Sequence, residues 1–169
     1  MREIILDTNL LAEFLYQYFD NNIANRGFGK FIANTKMSLE LTKNVNRIIQ
    51  IYDETNDPSF SGLIISSAFA FIEIARQFEK IADSRFSLEN LYDFIQNYPG
   101  WFSIAPVDKE LLPSLIQIPT HIILNDENKS IELCDSIHVA TVFSRGENSF
   151  MATTDLRIKE IPALKNRIL

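Results

Sequence analysis

An α/β fold with a mostly parallel sheet, covered by helices on both faces, is what this sequence predicts. Three observations point to it. Short apolar runs, read as buried strands, alternate along the chain with segments of helical periodicity. That alternation is the pattern of parallel strands joined by right-handed helical crossovers. At 169 residues and 46% apolar content the chain is long and apolar enough for one domain with a real core.

The elements follow in order. Glu3 to Leu6 reads as a first buried strand. Thr8 or Asn9 can cap a helix over Leu10 to Phe19. Asp20 to Lys30 is a loop broken by Gly27 and Gly29. Met37, Leu41, Val45, Ile48, Ile49 and Tyr52 share one helical face, fit for the core or for a dimer contact. That helix ends before Asn56-Asp57-Pro58. Gly62 to Ser66 is a second buried strand, followed at once by a helix over Ser67 to Ala82. Another helix spans Ser87 to Asn97 and stops at Pro99-Gly100.

Trp101 to Val107 holds a third strand, and Asp108 to Ile116 is helical around Pro113. Pro119 to Ser130 reads as irregular, with His121 to Leu124 either a strand or a helical turn. Ser130 can cap a helix from Ile131 to Ser144, closed by Gly146. Ser149 to Thr153 is a fourth strand, and Leu156 to Leu169 a short helix with an edge strand.

The net charge of −6 argues against tight, non-specific nucleic-acid binding, which wants a basic face. It does not exclude a metal-mediated phosphate site, whose ions reverse the local field. Setting aside four acids considered below leaves 18 acids against 16 bases. Cys134 is the single cysteine, so no intramolecular disulfide forms, and it is expected to pack as a small apolar group. The N-terminal residues do not resemble a signal peptide. The longest uncharged stretches, Pro58 to Ile72 and Leu111 to Asn125, fall short of the roughly 20 apolar residues of a membrane span. A cytoplasmic protein with no membrane partner is the expectation.

Four acids stand in apolar settings: Asp7, Glu73, Asp135 and Asp155. Buried carboxylates without partners are costly, and a divalent cation is a natural compensation. Asp7 and Asp155 follow strands, where open α/β sheets bind ligands. Each acid also has a plainer reading. Asp7 can serve the helix dipole or an Asx turn, and Glu73 can pair with Arg76 one turn on. Asp135 can serve its helix dipole or pair with His138, and Asp155 can cap the turn after it. His138 itself is expected to be a packed, hydrogen-bonded core residue. No zinc site is indicated around His121 or His138. A receiver-like phospho-acceptor domain also gathers acids at strand ends, but the single early acid and the lack of a convincing late lysine argue against it.

In chain order, four segments resemble the PIN-domain family of metal-dependent ribonucleases, many of them VapC-type toxins. Asp7-Thr8-Asn9 is similar to the family's opening motif. Ile65-Ser66 followed by Glu73 is similar to its strand-then-helix glutamate. Glu132 to Ala140 resembles the third-acid helix, and Thr153-Thr154-Asp155-Leu156-Arg157 the closing T-x-D. The resemblance runs from Met1 to about Ile161, as a single domain. Asp7 and Glu73 are 66 residues apart, wider than the toxins show, which marks 21–57 as an inserted loop and helix.

The resemblance implies a flavodoxin-like, three-layer α/β/α sandwich that hydrolyses RNA with Mg²⁺ or Mn²⁺. It makes Asp7, Glu73, Asp135 and Asp155 the catalytic and metal-holding residues. Asp7 and Asp135 would be direct ligands, Glu73 direct or through water, and Asp155 the completion of the cluster. Asn9 and Thr154 would support them. Arg157 or Arg76 would meet substrate phosphate or pair at the surface. An antitoxin partner and a homodimer are implied as well. The alternative is a PIN-fold scaffold or partner-binding protein whose acids no longer act.

Overall fold

The computed structural model describes residues 2–23, 39–77 and 87–169. The loop with Gly27 and Gly29, Met37, and the predicted helix beyond Gln77 lie outside them. Strands β1 (Glu3–Leu6), β2 (Ile64–Ser67), β3 (Phe102–Ala105) and β6 (Ser149–Ala152) form one parallel sheet in the order β3-β2-β1-β6. Between β3 and β6 in the chain, β4 (His121–Leu124) and β5 (Glu127–Ser130) form a separate antiparallel hairpin.

Strand residues alternate between two cores, as a period of two requires. Ile4, Leu6, Ile64, Phe102 and Ala152 enter one; Ile5, Ile65 and Met151 enter the other. The first core is filled by α1 (Thr8–Ile23), α2 (Leu39–Thr55), α3 (Ala68–Gln77) and α4 (Leu88–Asn97). Its centre is aromatic: Phe102 stacks on Phe14 at 5.6 Å and meets Phe94 edge-on at 5.1 Å. The second core is filled by α5 (Leu112–Leu115), α6 (Leu133–Ser144), α7 (Leu156–Lys159) and the hairpin. The expected three-layer sandwich is the observed one. Leu41, Val45, Ile48 and Ile49 of α2 are buried in the first core, with Tyr52 packed against it. The described helix of the long segment is therefore core structure.

Several local expectations are revised. The α1 helix begins at Thr8 because Asp7, not Thr8 or Asn9, caps it: its Oδ1 accepts the Leu10 amide at 2.8 Å. Ser130 does not cap α6. It belongs to β5, and α6 starts at Leu133 behind Glu132, which makes no side-chain cap bond. The helix predicted over Asp108 to Ile116 is only the four residues of α5. Of the two readings of His121 to Leu124 the strand is the observed one, and the residues after it are not irregular: they turn through Asn125 and Asp126, both at positive φ, into β5, which closes a hairpin. The tail does add an edge bridge: Ile168 pairs parallel with Met151.

Candidate active site

The strand order reverses direction between β1 and β6, and the crevice beyond their carboxyl ends is where such sheets bind ligands. Asp7 leaves β1 there and Asp155 follows β6. The N-termini of α1 and α3 start at the same edge. That of α6 reaches it too, because α6 runs back antiparallel to the strand it precedes. Asp7, Glu73, Asp135 and Asp155 line one pocket of about 160 Å3, together with Thr8, Asn9, Gln77, Cys134 and His138.

Asp7 is 4% exposed. Burial pushes its carboxyl above the usual carboxylate range, against hydrogen bonds from Thr153 and the Leu10 amide, and the charge of Asp155 adds to the rise. Asp135 lies in the first turn of α6. Burial raises its carboxyl as well; Arg157 opposes the rise, while Asp155 and Glu132 add to it. Its Oδ2 is shut off from solvent and accepts no hydrogen bond. The Arg157 Nη2 is 3.1 Å away, a charge contact without hydrogen-bond alignment.

Asp155 caps α7, accepting the Arg157 amide at 2.7 Å. It also takes the Arg157 guanidinium, with Nη2 at 2.6 Å and Nε at 3.1 Å from Oδ2. Burial alone would raise its carboxyl, but those bonds to Arg157 leave it below the usual range. The same guanidinium reaches Glu132 at 3.4 Å, so Arg157 pairs with three acids, two of them in the pocket rather than at the surface.

Glu73 is half-buried on α3 and is not paired as a simple i+3 bridge. Its Oε2 takes a short hydrogen bond from Thr8 Oγ1 and lies 3.6 Å from His138 Nε2. His138 and the Thr8 hydroxyl outweigh burial and hold this carboxyl below the usual range. His138 is 2% exposed, with Nε2 2.9 Å from Thr8 Oγ1 and Nδ1 3.2 Å from Ser67 Oγ. It is the packed, hydrogen-bonded histidine expected.

Thr8, Thr153 and Arg157 touch the acids more closely than the sequence indicated, and Ser67 touches His138. Asn9 is exposed at the pocket rim. Thr154 is exposed, and the hydroxyl that reaches both neighbouring acids is that of buried Thr153, which bonds Asp7 and takes the Asp155 amide at 3.0 Å. Cys134 borders the pocket, half-buried, its thiol pushed up to about 11 by burial and by the charges of Glu73 and Asp135. Among the described residues no three His, Cys, Asp or Glu side chains stand already gathered as a metal-holding group. No helix among them is long and apolar enough to cross a membrane.

The crystal structure of FitAcB from Neisseria gonorrhoeae superimposes on this chain with a TM-score of 0.51, over 98% of this chain and 96% of that one, at 16% identity. The two share a fold. The structure of FitAB bound to an IR36 DNA fragment is similar at a TM-score of 0.49 and 16% identity, over 98% of this chain and 93% of that one. No protein-family model matches the sequence, and no curated protein does.

Proposed function

We propose that this chain is a metal-dependent endoribonuclease that hydrolyses RNA phosphodiester bonds with Mg²⁺ or Mn²⁺. The observation that carries the reading is that Asp7, Glu73, Asp135 and Asp155, distant in sequence, line one pocket at the carboxyl edge of the sheet. The donors fit a hard divalent cation, being carboxylate oxygens. The Asp135 Oδ2 is buried with no hydrogen bond and faces only the Arg157 guanidinium, 3.1 Å away, whose place a divalent cation could take. Asp7 and Asp135 would hold the ion, with Glu73 and Asp155 beside them directly or through water. Bound there, Mg²⁺ or Mn²⁺ supplies positive charge for the phosphate oxygens and lowers the pKa of a water.

The chain's own contribution is placement. Asp7 is locked by its cap bond to Leu10 and by Thr153. Glu73 is held by Thr8. The amino ends of α1, α3 and α6 favour a bound anion such as phosphate. Arg157 must release Asp135 for that carboxylate to serve as a ligand.

Asp7→Asn should abolish Mn²⁺-dependent cleavage of single-stranded or structured RNA while the circular dichroism spectrum is kept. Equal cleavage by wild type and variant sinks the reading. The setting we propose is the toxin of a type II toxin–antitoxin pair, supported by the motif resemblance and the shared fold. Co-expression with the product of a short neighbouring reading frame should then relieve growth arrest. Arg157 favours a second reading, a non-catalytic PIN-fold scaffold, because its guanidinium already neutralises Asp135 and Asp155. Wild type that neither takes up Mn²⁺ nor cleaves RNA would decide for the scaffold.

A further inference from the structure

Ser67, His138, Thr8 and Glu73 come from the end of β2, from α6, from the start of α1 and from α3, and they touch in that order. Counting donors and acceptors gives the chain a direction. Thr8 has one hydroxyl proton, and Glu73, an acceptor only when ionised, takes it. The Thr8 oxygen facing His138 Nε2 at 2.9 Å must therefore accept, so Nε2 carries a proton. A bare Nε2 there would set lone pair against lone pair at 2.9 Å, on a ring that is only 2% exposed, which is costly. On the far side, the Ser67 oxygen takes the Ala70 amide at 3.2 Å. Its own proton is then free for His138 Nδ1. Every polar atom of the buried ring is satisfied in this arrangement.

We propose that His138 is a positioning residue for Glu73, acting through Thr8 and, beside it, through its own approach of 3.6 Å to Glu73 Oε2. The ring, seated by Ser67, donates Nε2–H to the Thr8 hydroxyl. That donation leaves Thr8 only one use for its proton, the Oε2 of Glu73. One carboxylate oxygen is thereby pinned, and the remaining lone pairs are presented to the pocket in a single orientation. The part concerning a ligand rests on the metal-dependent reading above. The hydrogen-bond direction does not.

Two measurements test it. The chain has two histidines, so a long-range proton–nitrogen correlation spectrum of labelled protein, with His121→Gln to assign the other ring, reads the protonation of His138 directly. The expected pattern has a proton on Nε2; a ring protonated on Nδ1 alone overturns the relay. Calorimetric titration with Mn²⁺ then compares Thr8→Val with Thr8→Ser, both checked for native circular dichroism. Val keeps the shape but not the hydroxyl and should bind Mn²⁺ about tenfold more weakly, while Ser should return to wild-type affinity. Equal affinity for wild type and Thr8→Val overturns the positioning role. If wild type itself takes up no Mn²⁺, the ribonuclease reading fails and the ring spectrum alone decides the relay.

Discussion

The Nη2 of Arg157 lies 3.1 Å from Asp135 Oδ2, an oxygen that has no hydrogen bond and no solvent. The same nitrogen is 2.6 Å from Asp155 Oδ2. A guanidinium thus stands against the carboxylates proposed to hold a divalent ion, and its own proton is held more tightly for it. Removing one partner of such a pair leaves the others uncompensated. Arg157→Ala should lower stability without metal by about 1–2 kcal/mol in urea unfolding. It should tighten Mn²⁺ binding by about tenfold in calorimetric titration. Unchanged Mn²⁺ affinity would mean that Arg157 and the ion do not compete.

Asp7 carries a different cost. Its carboxyl is raised by burial, so the folded chain holds that proton to higher pH than the unfolded chain does. As pH rises from the ordinary aspartate range through the raised folded value, folding loses stability, and above that value the loss is complete. Asp7→Asn keeps a capping side chain for α1 and removes the charge. Near neutral pH without metal it should be more stable than wild type, by on the order of 1 kcal/mol. The gap should close as pH falls below the ordinary aspartate range. A variant less stable than wild type at neutral pH would show that the cap geometry outweighs the burial cost.

How much of this was legible in the sequence varies with the range of the interaction involved. The strands and the faces of α2 could be read because apolar period and burial are local signals. The segment Asp7-Thr8-Asn9 offers three capping residues in a row, and nothing local says which will turn its oxygen onto the Leu10 amide. Thr153 and Thr154 are adjacent at the end of β6, where a period of two sends one inward and the other out. The motif order could be read for the four acids. The contacts of Thr8 with Glu73 and His138 could not, since they join residues 65 and 130 positions apart. The hairpin did carry a signal: Asn125-Asp126 between Ile123-Leu124 and Glu127 is a two-residue turn sequence.

Arg167 closes the opposite edge of the sheet. Its Nε donates to the Ser149 carbonyl at 2.9 Å, and its Nη2 to the carbonyls of Val142, at 2.8 Å, and Gly146. The guanidinium also lies 5.5 Å from the centre of the Phe143 ring. These carbonyls end α6 and open β6, so Arg167 ties the two together. Arg167→Ala should cost about 2–3 kcal/mol in urea unfolding. Lys should recover little of it, because a single ammonium cannot span the fork. Mn²⁺ affinity should stay at the wild-type value, since the acidic pocket lies at the other edge; a parallel loss of affinity would contradict that separation.

The β4–β5 hairpin offers a local test of the fold. Leu124 pairs with Glu127, leaving Asn125 and Asp126 as the two turn residues, at φ of 52° and 63°. Positive φ at both positions is the type I′ turn, whose twist matches the strands it joins. Asn and Asp tolerate that region because their short side chains bond locally, whereas a β-branched residue does not. Asp126→Val should therefore cost about 1–2 kcal/mol in urea unfolding, although the position is exposed and the side chain adds apolar surface. Asp126→Gly, which relieves the same strain but adds freedom to the unfolded chain, should fall within about 0.5 kcal/mol of wild type. A Val variant as stable as wild type would mean that the turn does not hold Asp126 at positive φ, and the register of the hairpin would have to be redrawn.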